Sequence, residues 1–262
     1  MKTVLRRIRP GIREEKKLAR AVEALMNRLR EAASREGLEP MLVGSVAKGT
    51  YLKNPDIDVF IMFPVDVPVK EMEQRCTAIG RSVVESWEMR HAQHPYVRGR
   101  FMGYDVEIVP CYRVDSPKNK KSPVDRTPFH TRYIQEHLRP ELRDEVRLLK
   151  QFMKGTGVYG AEVRVKGFSG YLCELLVLKY GSFQGVLRAS RRWKRGKSLC
   201  LEGGAHKSFN DPLVFIDPVD PDRNVAAPVS EQSLAVFRYA ASCYLRKPST
   251  RFFFPRDAEV PG

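Results

Sequence analysis

No run of apolar residues in this 262-residue sequence approaches the roughly 20 that a membrane-crossing helix needs, which excludes a helical membrane span. Cysteine is scarce. Cys76, Cys111, Cys173, Cys200 and Cys243 are odd in number, scattered and never spaced as CxxC. That excludes a disulfide frame and a thiolate zinc site, and it suits buried thiols in a reducing compartment. The basic N-terminus has no hydrophobic signal region, so a cytoplasmic location is expected. Acid is in deficit, with 46 Lys and Arg against 31 Asp and Glu, and the net charge of +15 favours a polyanionic partner. No internal repeat is present. What remains is an ordinary globular composition, 42% hydrophobic and 29% charged, in a chain long enough for a proper core and two domains.

Elements alternate along the first half. Leu18, Val22, Leu25, Leu29 and Ala32 recur at helical spacing within 13–36, and Gly37 is placed to end that helix. "EPMLVG" reads as a strand, and "GSVAKGTYL" as a turn opening a short helix. Residues 56–63 form a second strand. Residues 68–88 read as an amphipathic helix with Val69, Met72, Cys76, Ile79, Val83 and Trp87 inward. "YVRGRFMGYDVEIVPCY" reads as a hairpin turning near Met102-Gly103. From about residue 140 the pattern is helical, in "ELRDEVRLLKQFMKG", "SGYLCELLVLKYGSF" and "SEQSLAVFRYAASCYL", with Ser230 as N-cap of the last. The expected domains are therefore 1–139 and 140–262, with the lysine-rich "DSPKNKKSPVDRTP" a surface loop just before the change.

Two aspartates interrupt the apolar run "DIDVFIMF", where burying charge costs several kcal/mol unless something compensates. Strand parity puts Asp56, Asp58, Phe60 and Met62 on one face, and Ile57, Val59, Ile61 and Phe63 on the other. Two carboxylates on one face repel unless a cation sits between them, the pattern of a Mg²⁺ site. The later hairpin repeats the parity, with Asp105, Glu107 and Val109 on one face and Val106 and Ile108 on the other. A Gly-Ser turn at a helix start, about a dozen residues before the acid pair, offers N–H groups and a hydroxyl to phosphate oxygens. Three carboxylates facing such a turn would hold two Mg²⁺ against a triphosphate, which describes a nucleotidyl-transfer site.

At this point "GSVAKGTYL…DIDVF" resembles the nucleotidyltransferase signature of the DNA polymerase β superfamily. "HPYVRG", "VPCY", "VDRTPFH", "EVRLLKQFMK", "YGAEV", "KGFSGYLCELL" and "DPVDPDRNVAA" are similar to the archaeal, class I CCA-adding enzymes, from about residue 40 to "PSTRFFF". The resemblance implies an α+β protein with a polymerase β-like head of mixed sheet and helices, followed by a mostly helical domain. It also implies an enzyme that builds or repairs the 3′ CCA of tRNA from CTP and ATP without a template, with Mg²⁺ as cofactor. Family members continue into a C-terminal tail domain that helps hold the tRNA, and that domain is expected to be absent from a chain of 262 residues.

Carried over position by position, the metal-binding acids are Asp56, Asp58 and Glu107, and the phosphate-side residues Gly44, Ser45 and Lys48. Further nucleotide contacts fall on His130, Lys150 and Tyr159, and a base- and phosphate-reading arginine on Arg223. Without the family, His130 reads as a structural histidine, Lys150 as a solvated lysine on the exposed side of its helix, and Tyr159 as packing. Arg223 would likewise pin its loop through Asp217 or Asp220. "RRWKR" at 191–195 reads either as a surface turn or as arginines and a tryptophan suited to RNA.

The family has Glu-x-Asp in the first acid pair and Asp as the third acid, whereas this chain has Asp56, Asp58 and Glu107. Asp105 shares the face of Glu107 but lies about 6.6 Å further back along the strand, which favours Glu107. The expected partners are the tRNA acceptor end, CTP and ATP; no membrane is involved, and a homodimer is left open. Rival readings are another acceptor, as in an oligoadenylate synthetase or RNA-tailing enzyme, or a non-catalytic RNA-binding module. The acids argue against the last, since a pure binder gains nothing from concentrated negative charge beside RNA.

Overall fold

In the computed structural model, residues 1–91, 94–203 and 207–255 are described. The chain divides into two compact units. Arg9–Gln135 form the first, and Met1–Ile8 join Glu136–Gly262 in the second. The short helix α1 (Lys2–Ile8), with Val4 and Ile8 buried, thus goes with the later part of the chain.

The first unit opens with α2 (Ile12–Ser34), which buries Leu18, Leu25 and Leu29 on one stripe. Its end closes as expected around Gly37: Leu38 N–H donates to the Ala33 carbonyl and Gly37 N–H to that of Ser34. β1 (Glu39–Val43) leads into α3 (Gly44–Lys48) and then β2 (Ile57–Phe63). α4 (Val69–Val83) is followed by β3 (Ser86–His91), β4 (Pro95–Phe101) and β5 (Tyr104–Tyr112), with the β4–β5 turn at Met102-Gly103 as the sequence predicts.

These strands form one mixed sheet in the order β1-β2-β5-β4-β3, in which only β2 and β5 run parallel. The parity expected from sequence holds. Ile57, Val59, Ile61, Phe63, Val106 and Ile108 share the main core with residues of α2 and α4, while Phe60 and Met62 join Val43 and Cys111 in a smaller cluster. The sheet therefore has one face covered by α2 and α4. The face bearing the acids is apolar only toward the Met62 end.

One helix is shorter than its periodicity suggests. It stops at Val83, where Val84 turns extended (ψ 152°), and residues 86–91 form the edge strand β3. Trp87 is not inward but exposed, with the Arg81 guanidinium 4.2 Å from its ring centroid, and Val69 is exposed in the first turn. Trp87 lies four residues after Val83, so it continues a helical stripe on paper; the cation–π contact explains an apolar residue left at the surface.

Beyond β5, buried Asp125 accepts hydrogen bonds from the backbone N–H groups of Tyr112, Lys121 and Ser122, fixing the loop that launches α5 (Thr127–His137). The second unit contains α6 (Arg143–Gly155), α7 (Gly170–Tyr180), α8 (Phe183–Ser190), a two-stranded parallel sheet of β6 (Lys197–Leu199) and β7 (Leu213–Phe215), and α9 (Glu231–Arg246). Ser230 caps α9, its Oγ accepting from Ser233 N–H. The core of this unit is aromatic: Phe152 meets Phe183 and Tyr244 edge-on, with centroids 5.4 and 5.6 Å apart.

Trp193 of "RRWKR" is buried against Tyr180 and Phe237, so it cannot stack on a base. Among the described residues no helix is long and apolar enough to cross a membrane.

Candidate active site

The acids of the first unit are assembled by sheet register. Asp58 on β2 lies directly opposite Glu107 on the parallel neighbour β5, and opposite Val43 on β1. Asp56 stands exposed just before β2. The three carboxylates feel one another. Burial first, then the charges of Glu107 and Asp56, pushes the Asp58 carboxyl up to about 7, with Lys48 opposing. Burial, and then Asp56, also raises the Glu107 carboxyl, against the pull of Arg98, Tyr96 and Arg90. Like charges within reach disfavour ionisation of Asp58 and Glu107, so the site holds negative charge at a cost that a bound cation would remove.

Asp105 is placed differently. Its Oδ1 lies 3.1 Å from Arg100 and its Oδ2 3.5 Å from Arg98, so its charge is matched within the hairpin.

Gly44, Ser45 and Lys48 lie on α3, which follows β1 directly. Gly44 has φ +70°, a left-handed conformation costly for any other L-residue, and a methyl group there would overlap the Asp58 carboxylate. Glycine is required on both counts. Ser45 is half-buried, and Lys48 is buried with its charge toward Asp58. Gly44→Ala is expected to lower activity more than a hundredfold and to cost more stability than the about 1–2 kcal/mol of backbone strain alone, because the methyl group must also displace the Asp58 carboxylate. Steady-state rates beside a denaturant titration check this; activity falling only as far as the folded fraction would show the glycine to serve the turn alone.

The donor chemistry fits Mg²⁺, since three carboxylates are hard oxygen ligands. Among the described residues no group of three or more His, Cys, Asp or Glu side chains is placed to hold a metal ion by itself. Mg²⁺ needs none, because it binds one or two carboxylates and completes its shell with water and phosphate oxygens.

His130 sits half-buried on α5. The other expected residues belong to the second unit, in two groups. Lys150 is not solvated on an exposed helix face but buried, with Nζ 3.2 Å from the Oε1 of fully buried Glu174 on α7. A charge that periodicity alone assigns to solvent is thus hidden, because the apolar α7 carries its counter-ion. Gly170, the first residue of α7, leaves room for the Tyr159 hydroxyl and the Lys150 ammonium; a methyl group there would stand about 3.0 and 3.6 Å from them. In the second group the Arg223 guanidinium lies 2.8 Å from buried Asp217, whose other oxygen accepts from the Tyr171 hydroxyl at 3.1 Å.

Three residues of these clusters escaped the sequence reading, Glu174, Tyr96 and Arg98, whereas Asp217 is one of the two loop partners that it offers for Arg223. A glutamate inside "YLCELLVLKY" is the same buried-charge signal that marks Asp58, and it could have been found that way. Tyr96 and Arg98 gain their place from the pairing of β4 with β5, where Arg98 lies opposite Glu107.

Comparison with known proteins follows the same division. The nucleotidyltransferase domain family matches residues 23–130, and the family described as tRNA nucleotidyltransferase, second domain, matches residues 144–254. The chain is similar to the CCA-adding enzyme of Methanothermobacter thermautotrophicus, at 48% identity over 99% of this chain and 60% of that protein. It is also similar to that of Thermoplasma volcanium, at 46% identity over 95% and 57%. The chain thus spans about three-fifths of the length of these curated relatives. Among solved structures, a Cid1 poly(U) polymerase superposes with a TM-score of 0.73 at 16% identity, covering 96% of each chain. E. coli CdnC in complex with HORMA gives 0.71 at 18%, covering 96% of this chain and 92% of that one. At such identities these two structures show a shared fold alone.

Proposed function

This chain belongs to the family of the archaeal CCA-adding enzymes, and from that premise we propose that it adds or repairs the 3′-terminal CCA of tRNA, using CTP and ATP without a template. The observation that carries the reading is the pairing of Asp58 with Glu107 beside Gly44–Lys48, in a chain that matches both family domains. Nucleotidyltransferases of this family generally use divalent metal ions, and we assign Mg²⁺ to Asp56, Asp58 and Glu107. When bound, the metal supplies the positive charge that in-line phosphoryl transfer requires.

The residues of the chain divide the remaining work. Gly44, Ser45 and Lys48 hold the triphosphate, Gly44 by keeping the backbone clear of Asp58. The RNA 3′-hydroxyl gives its proton to solvent and its oxygen attacks the α-phosphorus; the bond from that phosphorus to the αβ-bridging oxygen breaks, and pyrophosphate leaves with that oxygen. Lys48, buried beside Asp58, brings its positive charge to the phosphates. We place the catalytic head within 1–139, less the helix α1 that goes with the later part of the chain, and the nucleotide- and RNA-binding helical domain at 140–262, with His130, Lys150, Tyr159 and Arg223 as further nucleotide contacts. Glu174 and Asp217 fix Lys150 and Arg223 in single positions, and a preset guanidinium reads planar acceptors on a base or triphosphate at lower entropic cost.

Incubation of the protein with a tRNA minihelix and each labelled nucleoside triphosphate in turn tests this. C and then A are expected to be incorporated, U and G not. Incorporation of U alone would make the protein an RNA-tailing enzyme. Oligoadenylate formed without RNA would make it a synthetase, and binding without incorporation a non-catalytic module.

A further inference from the structure

Within the second unit, cations gather where α9 ends. The helix stops at Arg246, and the chain passes through Lys247 and Pro248 into a single 3₁₀ turn at Thr250–Phe252. Between them lies a groove of about 920 Å³, lined by Cys243, Arg246, Lys247, Ser249, Arg251 and Phe252. Arg246, Lys247 and Arg251 are exposed, and among the described residues no acid lines the groove.

The turn that displays these cations is anchored from beneath. Ser249 Oγ accepts from the Arg251 N–H at 3.2 Å, and the Gln151 side chain on α6 donates to the carbonyl of buried Phe253 at 2.7 Å. Gly155 lets α6 come so close that a methyl group there would overlap the Phe252 carbonyl. The backbone is thus set before any ligand arrives, which lowers the entropic cost of gripping one. Arg7 of α1, its guanidinium 3.6 Å from the Phe254 ring centroid, brings a further cation to the end of the same turn.

We propose that this groove binds the sugar-phosphate backbone of RNA, with Arg246, Lys247 and Arg251 each taking a phosphate. The proposal rests on the reading of function given above and adds a place on the second unit where the RNA is held. Charge selects the ligand. Three like charges side by side repel one another, and a polyanion removes that repulsion while releasing its own counterions. An apolar protein surface would instead strip water from the three cations. Their donors are available: among the described residues the three side chains make one polar contact, from Arg246 to Cys243 Sγ at 3.5 Å. Two guanidinium forks suit phosphate oxygens. Tyr239, 72% exposed, lies one turn before Cys243 on the same face of α9 and offers a flat ring to the ribose. Cations in the last turn of a helix also offset its dipole, which accounts for Arg246 and Lys247 but not for Arg251, beyond the helix.

The test measures binding of a fluorescent tRNA transcript lacking its terminal A, by anisotropy across a salt series, with neither nucleotide nor metal present. The Arg246→Gln/Lys247→Gln/Arg251→Gln variant is expected to bind about tenfold more weakly or worse, with a salt slope lower by about 2 to 3, roughly one for each lost phosphate contact. In turnover its KM for tRNA should rise while its kcat and its KM for CTP hold. The Arg246→Lys/Arg251→Lys variant keeps every charge and should stay within about one unit of the wild-type slope. As a control, Arg188→Gln/Arg191→Gln/Arg192→Gln removes three cations exposed elsewhere on the unit and should lower the slope by less than about 1.

An unchanged slope in the groove variant overturns the site. So does an equal loss in the control, which would reduce the effect to the general attraction of a chain of net charge +15. A slope lost as fully in the lysine variant, or a lower melting temperature with no change in slope, overturns it too. If the triple variant does not fold, Arg251→Gln decides, an unchanged slope there overturning the proposal. Wild-type protein that binds the transcript but incorporates nothing leaves the groove standing and removes the catalytic reading. Absence of wild-type binding overturns both.

Discussion

Asp58→Ala is expected to lower nucleotide incorporation about 10²- to 10³-fold or more, the loss seen when one preorganised electrostatic group is removed from a reacting centre, with no loss of folding stability. The two expectations share a cause. Asp58 faces Glu107 across the parallel pairing of β2 and β5, with Asp56 two residues away, and its carboxyl is pushed up to about 7 by burial and by those neighbours. Its charge is therefore a burden on the folded protein at neutral pH, and alanine relieves it while leaving the flanking core residues Ile57 and Val59 in place. Single-turnover incorporation and a thermal melt measured together decide the matter. Activity above a tenth of wild type, a barrier change of only about 1.4 kcal/mol, would remove Asp58 from the reacting centre. A large fall in melting temperature would make it a structural residue.

Glu107→Gln is expected to be almost as damaging, near 10²-fold, whereas Asp105→Asn should stay within about threefold of wild type, the scale of a surface ion pair. Both acids lie on one face of β5, and only their neighbours tell them apart. Glu107 sits in the row of Asp58 and shares its electrostatic field with Asp56. Asp105 is one pleat back, spanned by Arg98 and Arg100 at the hairpin. Kinetics of the two variants over a Mg²⁺ titration compare them. Should Asp105→Asn prove the worse enzyme, and need the higher Mg²⁺, the third acid is Asp105.

Much of this site is legible in the sequence alone. An alternation of acids inside "DIDVFIMF" and "YDVEIVPCY" fixes which side chains share a face, because the strand repeat is two and nothing in the tertiary structure alters it. Caps and turns are equally local. Ser230 starts α9, the chain leaves α2 through Gly37, and the hairpin turns at Met102-Gly103. Long motifs carry the family in the same way, since they keep residues in order along the chain.

Periodicity says which residues share a face but not what lies opposite, and there the tertiary structure decided. Asp58 and Glu107 become neighbours only because β2 pairs parallel with β5, a register no local pattern encodes. The same pairing of strands makes Arg98 the neighbour of Glu107. Trp87 and Trp193 exchange their expected places, one covered by Arg81 at the surface and the other packed among aromatics. Lys150 leaves solvent because Glu174, distant in sequence, offers a buried counter-charge, and Arg223 is held because Asp217 is buried beside it. A buried charge is tolerable only with its partner in place, so the placement of each depends on residues far along the chain that only the folded structure brings near.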